Sequence, residues 1–179
     1  MDLNQRMRRR KIQHEAEGYL ELGMPQYALQ TLGRLGDPTG FDAQSLYLWG
    51  EGLRGMQRHV EALLPLERAA KLAPEDTKIC LALGWCYKRT GRLDLAIDAL
   101  EKALIREPAE AVLRYNLACY LSLAGHKNRA LRHLTQAFSL EPAYCQMVDE
   151  ESDFDSIRDD AEFRAVCEAA KQKGLGIGG

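Results

Sequence analysis

One pattern of small, aromatic and turn residues recurs three times along the chain at a single spacing. Leu46, Trp49, Gly50, Leu53, Ala62, Leu66, Ala69 and Pro74 align with Cys80, Leu83, Gly84, Tyr87, Ala96, Leu100, Ala103 and Pro108. Both align with Arg114, Leu117, Ala118, Leu121, Ala130, Leu134, Ala137 and Pro142, each row lying 34 residues beyond the last. Such a period constrains architecture more than any other feature, because each copy is one small unit that must stack on its neighbours to bury its faces. It also moves the functional question from a catalytic group to the surface that the stack presents.

Within a row the spacing is helical. Cys80, Leu83, Gly84 and Tyr87 fall at i, i+3, i+4 and i+7, one face of an α-helix. After Gly91 the phase restarts with Leu93, Ala96, Ile97, Leu100, Ala103 and Leu104, a second amphipathic helix. Gly91 stands where a left-handed C-cap ends the first helix, and Pro108 where the second must stop. Each repeat is therefore a helix pair, with Gly84 and Ala96 at its closest approach and Tyr87 and Leu100 filling the wider space.

These residues resemble the tetratricopeptide repeat (TPR) signature: Leu83-Gly84, Tyr87, Gly91, Ala96, Leu100, Ala103 and Pro108 fill its slots in residues 77–110. Residues 43–76 and 111–144 fill them nearly as well. A degraded copy in residues 9–42 keeps Ala16, Tyr19, Gly23, Ala28 and Leu32 but departs at Leu35 and at Gly36-Asp37-Pro38-Thr39-Gly40. The acidic stretch Asp153–Asp160 leading to Phe163 resembles the tail that closes bacterial TPR arrays. The resemblance implies an all-α fold, an α-solenoid wound as a right-handed superhelix. About four helix pairs would span 1–144, followed by a helical cap over 145–173 and a flexible tail at 174–179. In the cap, Phe154, Ile157, Phe163, Val166 and Cys167 would cover the last open helix face.

Two oddities mark the second repeat. Gly50, Gly52 and Gly55 share one helix, which the last two weaken by about 1 kcal/mol each relative to alanine. Pro65 interrupts the next helix and predicts a kink, either a tolerated surface feature or a hinge.

Net charge is −2, which gives no basic field for nucleic acid. The ends differ: Arg6, Arg8, Arg9, Arg10 and Lys11 crowd the start, and acids from Glu141 to Glu162 crowd the C-terminal part. That polarity offers either two solvated ends or a handle for head-to-tail contact. No apolar stretch approaches the ~20 residues that cross a bilayer, so no membrane insertion is expected. The five cysteines form no CxxC pair, which fits reduced thiols and a cytoplasmic location.

Catalytic patterns are missing: there is no GxSxG, P-loop, GxGxxG or HExxH. His14, His59, His126 and His133 are scattered, and the acids at 153–160 lack the EF-hand glycine and terminal glutamate. We expect no enzyme, no cofactor and no metal.

In TPR arrays the first helix of each pair lines the concave side. The resemblance then assigns the groove to Tyr47, Glu51, Arg54, Lys78, Leu81, Trp85, Lys88, Tyr115 and Cys119. Gln13, Glu17, Glu51, Leu81 and Trp85 occupy the slots that chaperone-tail binders fill with Lys, Asn and Arg, so a carboxylate clamp is not expected. An aromatic and apolar strip of Tyr47, Leu81, Trp85 and Tyr115 remains, with Glu17 and Glu51 at one end and Arg54, Lys78, Lys88 and Arg89 near its middle. It suits a protein or peptide partner with apolar anchors. The expected function is a non-enzymatic interaction module: an adaptor, scaffold or assembly chaperone. The alternative is a homo-oligomer that joins its basic start to its acidic end. Packing of residues 1–8 into the groove would bury the strip.

Overall fold

A computed structural model of the chain describes residues 3–175, with side chains to residue 172. The described residues are all helix and turn, without a strand. They fall into two compact units, divided after Gly91.

The first unit holds α1 (Leu3–Glu21), α2 (Pro25–Gly33), α3 (Ala43–Gly55), α4 (His59–Leu72) and α5 (Thr77–Arg89). Helix α1 packs on α2, α2 on α3, α3 on α4, and α4 on α5, while α3 also meets α1 and α5. Residues 3–8 continue α1 and do not turn back into a groove. Ala16, Ala28, Leu32, Phe41, Leu46, Leu48, Ala69 and Ile79 form the buried seam. Acidic side chains cap the first helices: Asp42 accepts from Ser45 N at 2.9 Å, and Asp76 from Lys78 N at 2.9 Å.

The turns between paired helices carry the period in their backbone. Gly23, Gly91 and Gly125 have φ of 68°, 75° and 76°, and Gln57 takes the matching place in the second repeat with φ 62°. The left-handed conformation closes each first helix.

The glycines of α3 are close-approach positions. A Cβ at Gly50 would lie 2.5 Å from Leu66 Cγ on α4, and one at Gly52 2.7 Å from Leu29 Cδ2 on α2. At Gly55 it would lie 2.9 Å from Pro25 Cβ. The lower helix propensity is thus exchanged for contact with helices on both sides. Helix α4 runs uninterrupted through Pro65, which is buried, so it is not a surface feature. The carbonyl that lacks its amide partner there belongs to Glu61, an exposed residue.

The second unit holds α6 (Leu93–Arg106), α7 (Ala111–Leu123), α8 (Lys127–Leu140), the short α9 (Tyr144–Met147), a 3-10 turn at Ser152–Phe154 and α10 (Ala161–Leu175). Helix α7 packs on α6 and α8, and α10 lies against α8 and α9. The 3-10 turn lies against α7. Phe154, Ile157, Phe163 and Cys167 are buried, and Val166 is half-buried. Gly174 and Leu175 still belong to α10, and the rest of the expected tail lies outside the described residues.

Candidate functional site

The α3 and α5 side chains assigned to the groove converge on Trp85. Arg54 grips Glu51 with two parallel bonds, Nε to Oε1 at 2.7 Å and Nη2 to Oε2 at 2.5 Å. The guanidinium so oriented lies 5.0 Å from the Trp85 ring centroid, and the Arg89 guanidinium lies 5.6 Å from it. The His59 ring meets Trp85 edge-on at 4.9 Å. Trp85 is half-buried, held by three cationic or polarisable groups, with part of its surface left to solvent.

Around this centre, Tyr47 and Leu81 are half-buried and Lys78 is exposed at the start of α5. Lys88 is half-buried. Burial, then the Glu51 charge, pushes the Tyr47 hydroxyl up to about 12, so it stays a neutral donor. Burial, followed by the Arg89 and Arg54 charges, lowers the His59 pKa and favours the neutral ring beside Trp85. Arg54 pairs with Glu51, one of the two acids expected at that end of the strip.

Arg89 belongs to the bases expected near the middle of the strip, whereas His59 lies outside the groove residues expected from the sequence. His59 begins α4, the second helix of its pair, so a rule that reads only first helices passes over it. It reaches Trp85 because α4 packs on α5.

Tyr115 and Cys119 depart from the expectation. They are 4% and 2% exposed, covered by the C-terminal segment of their own unit. The Tyr115 ring stacks on Tyr144 at 4.8 Å and meets Phe154 edge-on at 6.0 Å. The exposed strip therefore loses these two members, and what remains centres on Trp85. All five cysteines are buried and unbridged.

The acids of the C-terminal part are largely paired within the second unit. Asp149 meets Lys171 at 2.6 Å, Asp160 and Glu162 both meet Lys127 at 2.9 Å, and Asp155 meets Arg158 at 2.7 Å. Asp159 pairs with Arg164. These pairs leave less free charge for the basic N-terminal helix of another molecule.

Residues 53–115 match the tetratricopeptide repeat family. That stretch is of the tetratricopeptide repeat type. No curated protein sequence matches it. Among solved structures, MamA AMB-1 is similar over 92% of this chain and 98% of that one, with 20% identity and a TM-score of 0.73. MamA 41-end from Desulfovibrio magneticus RS-1 is similar over 92% and 96%, with 19% identity and a TM-score of 0.66. YrrB, described as a TPR protein with an unusual peptide-binding site, is similar over 71% and 66%, with 24% identity and a TM-score of 0.63. At these identities the likeness shows the fold, which is that of the TPR solenoid proteins. Repeats of this family are generally interaction modules and not catalysts. Among the described residues no helix is long and apolar enough to cross a membrane.

Proposed function

We propose that this chain is a non-enzymatic adaptor, scaffold or assembly chaperone that holds a partner segment on the face formed by α1, α3 and α5. The observation that carries the reading is Trp85, oriented by Arg54, Arg89 and His59 yet only half covered. A large aromatic fixed in place before binding loses little freedom on contact, which is how binding hot spots work. Leu81 and the Tyr47 ring extend the apolar surface to either side, so the partner would present an apolar anchor to Trp85. Lys78 and Arg89 at its edges favour a segment with acidic residues next to that anchor. The five unbridged thiols support action in a reducing compartment such as the cytoplasm.

The test is affinity capture from the native cell extract with the natural chain and with Trp85→Ala, both checked for helicity by far-UV circular dichroism. The variant is expected to lose the captured partner at unchanged helicity. Equal recovery of the partner by both chains refutes the assignment.

A further inference from the structure

The buried side chains beneath the C-terminal segment form a donor set that the repeat pattern does not require. Cys119 Sγ on α7 and carboxylate oxygens of Glu151 and Asp153 all lie within 4.8 Å of one another. Cys119 and Asp153 are buried and Glu151 is half-buried. Two carboxylates and a thiol this close together offer a cation three donors at once. Arg158 belongs to the same segment. It donates to the main-chain carbonyls of Val148, Asp149 and Glu151 and to the Asp155 carboxylate.

An independent observation points to the same spot. The Tyr115 hydroxyl is enclosed and has no hydrogen-bond partner. Tyr115 stands one turn before Cys119 on α7, with its ring edge-on to Phe154, the neighbour of Asp153. After burial itself, the charges that bear most on this hydroxyl are those of Cys119, Glu151 and Asp153. A buried phenol without an acceptor is costly. An oxygen bound to a cation at this place, from a carboxylate or a water, would supply the acceptor.

We propose that Cys119, Glu151 and Asp153 bind a borderline-soft divalent cation of the zinc class, with Tyr115 donating to the bound oxygen shell. A thiolate with two carboxylates suits such an ion better than calcium or magnesium, which take oxygen ligands alone. Zinc bond lengths of about 2.0–2.3 Å require the donors to close to roughly 3.5 Å from one another, a small side-chain adjustment. Three protein ligands leave the fourth position to water. On binding, the Cys119 thiol gives its proton to solvent and its sulfur lone pair to the cation, with no change of oxidation state. The ion would join α7 to the acidic segment, a long-range tie in the second unit. Sequence spacing hides this set, because Cys119 is far from the two acids along the chain and belongs to no CxxC pair.

The test uses cobalt(II) as the probe, added to the full reduced chain. One equivalent is expected to bind and to give the near-ultraviolet absorption of a cobalt–thiolate bond. Cys119→Ser should abolish that absorption, while Cys80→Ser, in the first unit, should keep it. Glu151→Gln, which keeps an Oε1 able to accept from Asp153 N, is expected to weaken binding more than tenfold, and zinc should displace the cobalt. The proposal is overturned if the natural chain shows no cobalt–thiolate absorption. It is equally overturned if folded Cys119→Ser retains the absorption, or if Glu151→Gln binds as tightly as the natural chain.

Discussion

Replacing Gln57 by glycine should stabilise the protein. Gln57 has φ 62°, the left-handed conformation that glycine adopts at Gly23, Gly91 and Gly125. A side chain in that conformation costs roughly 1–2 kcal/mol through the clash of Cβ with the following carbonyl. Glycine removes the clash but gives the unfolded chain more freedom, worth about 0.4–1 kcal/mol in the other direction. The glutamine side chain itself holds little: its Oε1 lies 3.2 Å from His59 Nε2 at an exposed position. The net gain expected for Gln57→Gly is about 0.5–1 kcal/mol. For a chain of this size that raises Tm by about 1–4 °C. Thermal unfolding followed by far-UV circular dichroism reads the shift, and urea titration should move its midpoint upward with an unchanged slope. Gly91→Ala, which adds a Cβ at φ 75°, should move both in the opposite direction. An unchanged or lower Tm for Gln57→Gly would refute the strain argument and the equivalence of the four turns.

Gly50→Ala pushes a Cβ to within 2.5 Å of the fully buried Leu66. Its overpacking cost of about 1–3 kcal/mol should exceed the ~1 kcal/mol gained in helix propensity and lower the urea midpoint. Asp42 caps α3 and also accepts from Gln13 at 3.0 Å and Arg9 at 3.1 Å. Burial alone would raise its pKa, but the Ser45 and Arg9 hydrogen bonds outweigh that and hold it low. Asp42→Ala should cost about 1–2 kcal/mol in equilibrium unfolding at neutral pH. Burial, reinforced by the Arg114, Arg129 and Arg132 charges, lowers the His133 pKa from 6.5 to about 4. The unfolded chain then binds this proton first, so stability is full above pH 6.5 and falls as pH drops through about 4. The loss is at most about 3 kcal/mol before solvent screening reduces it, and His133→Gln should flatten that part of the stability–pH curve.

Much of the fold is legible because a repeat states its packing more than once. Gly50 and Ala62 in one row, and Gly84 and Ala96 in the next, mark helix contact through their size alone. The cause of Gly52 and Gly55 is not legible: they accommodate α2, whose own repeat is too degraded to reveal the contact. Sequence alone predicts a kink at Pro65 and leaves open a surface position, yet its burial follows from neighbours that spacing cannot show. At the candidate site, helical phase finds Arg54 and Trp85 but not His59, which reaches Trp85 from the second helix of its pair. Phase also cannot show that Tyr115 and Cys119 are covered, because the cover is a non-repeating segment with no period to read.

A partner seated on the α5 face lies against Trp85. A photo-crosslinking amino acid placed at Lys78 or at Arg89, on the helix that carries Trp85, tests it in the native cell. As a control, the same group is placed at Ile105, which is 80% exposed. A shared crosslinked partner is expected from positions 78 and 89, absent from position 105 and lost when Trp85→Ala is added. Crosslinks from position 105 alone, or crosslinks from 78 and 89 that persist without the tryptophan, would contradict it.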